Sequence, residues 1–259
     1  MNRRITSVLL TVLLCLSVSA AFADGIVVSA AASLTDVLNG LKPAAEKAVG
    51  CPISFNFGGS GALRKQIEQG APADVFFSAA ASDMQALVDK NLVTPSSKVD
   101  LLSNAIVLIA SVKPGDRAPS VKSDAELKAL LQKMQLLAIG NPDAVPAGRY
   151  AVQALKALDF YSIVEKKLVL GGNVREVLQY VQTASSPYGI VFLTDAMSVK
   201  PDSGVGIVYQ FPARLTTPVI YPVGIVAASK NSDRAAAFIR FLQTAEAKAA
   251  FEKAGFVVQ

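Results

Sequence analysis

ISFNFGGSGALRKQIEQGAPADVFFS, residues 53–78, carries one complete unit of strand, loop, helix and strand. Ile53 to Phe57 reads as a strand, Gly61 to Gln69 as a helix ended by Gly70, and Ala73 to Ser78 as a buried strand. Between the first strand and the helix stands Phe57-Gly58-Gly59-Ser60-Gly61-Ala62. Three glycines around one hydroxyl let the backbone come close to a ligand and leave amides and the Ser60 hydroxyl free to donate. Read alone, the loop is equally a flexible turn with Ser60 as the helix cap. Gly58 to Ala62 has the outline of a nucleophile elbow, but its last Gly is Ala62 and the chain has no His. A phosphate loop of the NTPase kind is excluded as well, because no Gly-Lys-Ser or Gly-Lys-Thr follows.

The same alternation extends in both directions. Upstream, Gly25 to Ser29 reads as a strand and Leu34 to Val49 as a helix with Leu34, Val37, Leu38, Leu41 and Ala45 on one face. Downstream come helix Ala81 to Lys90, strand Asn104 to Ser111 and helix Asp124 to Met134. Strand Leu136 to Ile139, helix Ala147 to Leu158, strand Lys167 to Leu170, helix Val174 to Thr183 and strand Gly189 to Phe192 repeat the unit. Val205 to Phe211 and Val219 to Ala227 read as further strands, and Pro222 should bend the second or place it at an edge. A helix from Arg234 to Ala249 and a short strand from Phe256 to Val258 close the chain. Two such runs predict an α/β protein of two lobes. Ligand sites in such lobes lie beyond the carboxyl ends of the strands, where helix N-termini point.

Composition narrows the chemistry. The chain has 259 residues, 52% hydrophobic, with neither His nor Trp. Without His the commonest general base, the Ser-His-Asp and Cys-His nucleophiles and the usual zinc sites are gone. A mean hydropathy of +0.41 suggests a membrane protein, yet only the first residues approach the roughly 20 apolar residues a spanning helix needs. That stretch, MNRRITSVLLTVLLCLSVSAAFA, has a basic start at Arg3 and Arg4, an apolar run from Val8 to Val18 and the small-residue pattern Ala21-Phe22-Ala23. It reads as a cleavable signal peptide over 1–23, so the mature chain begins at Asp24 and is exported to an envelope compartment. Removing Arg3 and Arg4 from the 25 basic residues leaves 23 against 20 acidic ones, a net charge of about +3. The basic residues are scattered, and no nucleic-acid partner is expected. Cys51 is then the one cysteine left, and it reads as a packing residue.

Three further loops resemble the first in logic. Ala30-Ala31-Ala32-Ser33-Leu34-Thr35-Asp36 places Ser33 where an N-cap belongs. Gly140-Asn141-Pro142-Asp143-Ala144-Val145-Pro146-Ala147-Gly148 puts a first-turn proline before small residues, and Gly171-Gly172-Asn173-Val174-Arg175 again sets glycines before a helix. Helix N-termini carry partial positive charge and unpaired N–H groups, so several converging can hold a small dianion with no Lys or Arg beside it. A cage made only of donors also rejects protonated anions, whose hydroxyl would face another donor. The chemistry read from these loops is a fully ionised tetrahedral oxyanion.

AAASLTD (30–36), FGGSGAL (57–63), RKQIEQGAPADVFFSA (64–79), GNPDAVPAGRYA (140–151), NVREVLQYV (173–181) and YGIVFLTDA (188–196) together resemble the periplasmic molybdate-binding proteins of ABC transporters. The resemblance runs from about residue 25 to the C-terminus, and the pairing of GAPAD with VPAG is its specific part. It implies an α/β, two-lobed periplasmic solute-binding fold (type II-like), with mixed sheets flanked by helices and hinge strands near Leu102 to Asn104 and Thr217 to Tyr221. Lobe 1 would comprise 24–103 plus 221–259, and lobe 2 residues 104–220. It implies high-affinity binding of molybdate or tungstate and delivery to the transmembrane subunits of an ABC permease by a monomer, with no cofactor, no catalysis and molybdenum present only as the oxyanion. The Ser33 and Ser60 hydroxyls with nearby amides, and the N–H groups of Ala147 and Val174, would hold the anion. The family's remaining position is commonly a Tyr, and here it is Phe192. A missing hydrogen bond to an ionised ligand costs on the order of 1.5 to 3 kcal/mol, roughly ten- to a hundredfold in affinity. Tyr188, about 13 Å away at strand rise, is a poor substitute. Two other readings stand beside this one: a binding protein for another oxyanion or a small carboxylate, and an exported enzyme using Asp36, Asp74 or Lys65.

Overall fold

Residues 25–113, 116–200 and 203–259 are described in the computed structural model of the chain, and their longer strands fall into two sheets. The expected signal peptide, 1–23, lies outside the described residues. The strands are β1 (Ile26–Ala31), β2 (Ile53–Gly58), β3 (Val75–Phe77), β4 (Val99–Ser103), β5 (Ile106–Ser111), β6 (Leu137–Gly140), β7 (Leu168–Gly171), β8 (Tyr188–Phe192), β9 (Val205–Gln210), β10 (Ile220–Ile225) and β11 (Val257–Val258). The helices are α1 (Thr35–Val49), α2 (Ser60–Glu68), α3 (Ala81–Asp89), α4 (Asp124–Lys133), α5 (Pro146–Ala157), α6 (Tyr161–Val164), α7 (Val174–Gln182), α8 (Leu193–Met197), α9 (Ser232–Leu242) and α10 (Ala245–Lys253).

One sheet has the order β11-β4-β10-β3-β1-β2 and the other β7-β6-β8-β5-β9. The chain therefore builds most of the first sheet, crosses between β4 and β5, builds the second, and returns between β9 and β10. This is a two-lobed α/β architecture with two chain crossings between the sheets. β1 pairs in parallel with both β2 and β3, as a strand–helix–strand connection requires, and β10 runs antiparallel to β3 and β4. β1 and β5 are buried along nearly their whole length, which is why each is predominantly apolar, with Ser29 and Ser111 their one polar residue apiece. Helix α7 turns Val174, Val177, Leu178 and Val181 inward at helical spacing, a stripe that packs on the second sheet. Among the described residues no helix is long and apolar enough to cross a membrane.

Three features differ from the sequence-based expectation. Pro222 lies in β10, an interior strand between β4 and β3, and not at an edge. The register with β4 shifts at Tyr221/Pro222, so the missing N–H falls at an irregularity, while the Pro222 carbonyl still accepts the Ser78 N–H at 2.9 Å. The closing helix is two helices, because Thr244 takes extended backbone and its hydroxyl accepts the Ala247 N–H at 3.3 Å, a cap that starts α10 afresh. β4 escaped notice because Val99-Asp100-Leu101-Leu102-Ser103 alternates only weakly, and its identity as a strand comes from β10 and β11 on its two sides.

Candidate functional site

The carboxyl ends of β1, β2, β6, β7 and β8 all point into the space between the sheets. There a small cleft is lined from one side by Ala31, Ala32, Ser33, Gly58, Gly59, Ser60 and Ala79, and from the other by Val145, Pro146, Val174 and Phe192. Its empty volume is about 180 Å³, mouth included. Ser33, Ser60, Val174 and Phe192 thus meet in one place. Ala147 follows the lining residue Pro146 at the second position of α5 and is fully buried. A larger hollow of about 620 Å³ lies beside the chain crossings, lined by Asn104, Phe211, Pro218 and their neighbours, and no α-helix N-terminus opens into it.

Neither serine is used as a helix cap. A 3-10 turn over Ala32–Leu34 precedes α1, whose N-cap position is Leu34, and Gly59 holds the N-cap position of α2. The hydroxyls are turned to other partners. Ser60 Oγ, fully buried, accepts the Ala79 N–H at 2.9 Å, so its own proton is left to donate. Ser33 Oγ lies 2.9 Å from the phenol oxygen of Tyr221. The backbone adds to these donors. Asn173 caps α7 by accepting the N–H groups of Arg175 and Glu176, and the preceding N–H of Val174 is left over. Pro146 supplies no N–H, which makes Ala147 the first donor of α5. Among the described residues no backbone or side-chain acceptor takes the N–H of Ser60, Ala147 or Val174. No Lys or Arg lines the cleft. Close backbone approach holds α5 in place: a Cβ on Gly148 would sit 1.8 Å from the Gly140 carbonyl oxygen, so only glycine lets the helix start against the end of β6.

The two sheet units touch across the cleft. The N–H groups of Gly61 and Ala62 donate to the Ala144 carbonyl at 2.9 and 3.3 Å. Two ion pairs flank these contacts: Arg175 Nη1 reaches Asp36 Oδ2 at 2.8 Å, and Arg149 pairs with Asp83, which also takes Arg64 Nε at 3.2 Å. Each bridging arginine sits one or two residues past a residue expected on the anion, Val174 or Ala147, so the helices that present amides to the cleft also carry the ion pairs that join the two sheet units.

Phe192 is buried, with its ring edge-on to Tyr221 at 5.6 Å and to Tyr150 at 6.3 Å. The part played by Tyr221 escaped the sequence reading: the residue reads only as part of a strand and of a hinge, and 188 residues separate it from Ser33. Asn104, which donates to both Thr194 Oγ1 and the Tyr221 phenol, escaped it for the same reason. Replacing Phe192 with Tyr adds a phenol to a wall of the cleft, and the expected result is tighter anion binding by about tenfold, read by calorimetry. An unchanged affinity would mean that this ring position does not face the ligand.

Behind α7, Asp195 is fully buried with Arg175 Nε 2.8 Å away, close enough for a strong ion pair but outside hydrogen-bond alignment. Burial raises its carboxyl to about 6, against the pull of the Arg175 guanidinium, with Asp36 adding a further push upward. Because an unfolded Asp titrates near 3.9, the native state holds the extra proton between about pH 4 and 6. The stability this gives is fully present below the lower value and is lost as pH rises through the upper one, an effect of about 3 kcal/mol. Asp195→Asn should therefore flatten the fall of Tm between those pH values, and an unaltered slope in a thermal-denaturation series would refute the assignment.

The carboxylates considered for catalysis are employed elsewhere. Asp74 accepts the Val27 N–H at 2.7 Å and the Ser229 hydroxyl at 2.6 Å, and so ties β1 to the loop before α9. Asp36 is committed to Arg175, and neither of them nor Lys65 lines the cleft. Among the described residues no group of three or more His, Cys, Asp or Glu stands together as a metal site.

Comparison with known proteins bears on the same span of chain. The family model described as bacterial extracellular solute-binding protein matches residues 26–257. The molybdate-binding protein ModA of Haemophilus influenzae is 38% identical over 232 residues, 89% of this chain and 89% of that protein. ModA of Escherichia coli is 34% identical over 234 residues, 90% of this chain and 89% of its own. In three dimensions the periplasmic molybdate-binding protein of Azotobacter vinelandii aligns with a TM-score of 0.77 at 23% identity, covering 90% of this chain and 99% of the other, a likeness of fold.

Proposed function

The chain belongs to the bacterial extracellular solute-binding protein family, and from that premise we propose that it captures molybdate, and with it tungstate, and delivers the anion to an ABC permease. The observation that carries this reading is the donor set: two serine hydroxyls and three helix-start amides around a cleft with no cationic side chain. Ser33, Ser60, Ala147 and Val174 hold the oxyanion, and Phe192 closes one wall without a hydrogen bond. Such a set suits a fully deprotonated tetrahedral dianion, since every contact donates and none accepts.

Two lobes, 24–103 with 221–259 and 104–220, close over the anion by rotation at the crossings near Leu102 to Asn104 and Thr217 to Tyr221. The closed pair presents one continuous surface to the transmembrane subunits of the permease. The protein works as a periplasmic monomer after loss of residues 1–23, with no cofactor, no nucleic-acid partner and no reaction of its own. Isothermal calorimetry with molybdate, tungstate, sulfate and phosphate tests the reading. Micromolar or tighter binding of the first two is expected; no heat with either, together with micromolar binding of another solute, would overturn it. A second reading, a different fully ionised oxyanion, is supported by Phe192, which leaves the cleft one phenol short of the pattern implied by the family resemblance.

A further inference from the structure

Ser60 and Ser33 reach the same donor role by different means. The partner of Ser60 is the Ala79 amide, which can only donate, so the direction of that hydrogen bond is built into the backbone. The partner of Ser33 is a phenol, which can donate or accept, and its direction has to be set by something else. Three further contacts set it. The Ala105 N–H donates to Asn104 Oδ1 at 2.8 Å, which fixes the amide orientation and leaves Asn104 Nδ2 as the donor. That nitrogen donates to Thr194 Oγ1 at 2.9 Å and to the Tyr221 oxygen at 3.2 Å. The phenol, fully buried, has Ser33 and Asn104 as its partners, and Asn104 offers it a proton. The phenolic proton must then go to Ser33 Oγ. Reversing the bond would strand that proton in a dry interior with no acceptor.

We propose that Tyr221 is a positioning residue for specificity: by donating to Ser33 Oγ, and itself receiving from Asn104, it obliges Ser33 to donate into the cleft. The inference rests on the oxyanion-binding reading above. Its consequence is selective. With Tyr221 in place, one Ser33 lone pair is occupied and the Ser33 proton is left for the ligand; a ligand hydroxyl that donated to the remaining lone pair would leave that proton without an acceptor, so anions that keep a proton, such as hydrogen arsenate and hydrogen phosphate, are disfavoured there. Without it, the serine can turn and accept.

The test is a double-mutant cycle of Tyr221→Phe and Ser33→Ala, with molybdate and hydrogen arsenate titrated at mildly alkaline pH into the same preparation of each full-length mature protein. The ratio of the two affinities is the readout, because an inactive fraction changes the number of sites and leaves that ratio alone. Tyr221→Phe keeps the ring that packs on Phe192 and Phe256. It should narrow the molybdate-to-arsenate ratio by about tenfold, the size of one mismatched polar contact, and it should change nothing further once Ser33 is Ala. An unchanged ratio, or effects that simply add, would overturn the inference while leaving molybdate binding intact. Failure of the unsubstituted protein to bind molybdate would instead remove the reading beneath it, and the inference with it. Should Tyr221→Phe not fold, NMR of the unsubstituted chain with labelled tyrosine decides the matter. A slowly exchanging Tyr221 hydroxyl proton in contact with the Ser33 methylene is expected, and its absence would overturn the assignment.

Discussion

Gly61→Val is expected to weaken molybdate binding at least a hundredfold. A Cβ on Gly61 would lie 2.9 Å from the carbonyl oxygen of Ala144 and 3.0 Å from its Cα, distances that side-chain carbons do not occupy against backbone. Ala144 belongs to the loop between β6 and α5, in the other sheet unit, so the clash exists only when the two units meet. Gly61 is the second residue of α2, and a β-branched residue costs a helix no more than glycine does. The helix itself therefore has no reason to suffer, and the cost falls on the junction between the two units. What is lost is the seat of Ala144 on α2, including the hydrogen bond from the Gly61 N–H, and with it the arrangement in which both sets of donors reach one anion. Calorimetry should show the affinity loss, about 2.7 kcal/mol or more. Small-angle scattering should show that a saturating anion no longer shrinks the molecule. Unaltered affinity would mean that binding does not need this contact.

Ser60→Ala should cost roughly thirty- to a hundredfold in affinity, the upper range for one hydrogen bond to an ionised group. The size follows from geometry: the hydroxyl is fully buried, and its acceptor side is already taken by the Ala79 N–H, so its proton has no competing use. Alanine also strands that amide, and the ligand-free Tm should drop by a few degrees, since an unsatisfied buried N–H costs about 1 to 3 kcal/mol. Cysteine at the same position should restore little, because a thiol is a weak donor. Wild-type affinity in Ser60→Ala would remove this hydroxyl from the site.

Much of this was legible in the residues themselves. The unit over 53–78 is a strand, helix and strand because its apolar residues follow first one period and then another, and local periodicity survives without any knowledge of the fold. The loops rich in glycine, serine and alanine could be picked out because they stand between a strand and a helix, where unpaired amides must occur. Val174, whose side chain is apolar, could be named only through the family resemblance, which implies a backbone N–H at that helix start.

The remainder depended on distance along the chain. Ser33 looked like a cap because a serine before a helix usually is one; a 3-10 turn takes that place, and the hydroxyl meets a tyrosine 188 residues away. Pro222 signalled either a bend or an edge; β10 is flanked on both sides, which removes the edge, and the proline sits at a shift of register. Asp36 and Arg175, or Asp83 and Arg149, are unremarkable charges on separate helices until the fold sets the two sheet units side by side and pairs them.

By itself, then, the sequence determined the α/β alternation and the four donor loops, because period and turn chemistry are properties of neighbouring residues. The tertiary structure alone decided which way the hydroxyls point, which carboxylates are occupied and how the two sheet units meet. Hydrogen-bond direction and ion pairing are set by whatever group the fold brings alongside, and no local pattern encodes a partner from the far end of the chain.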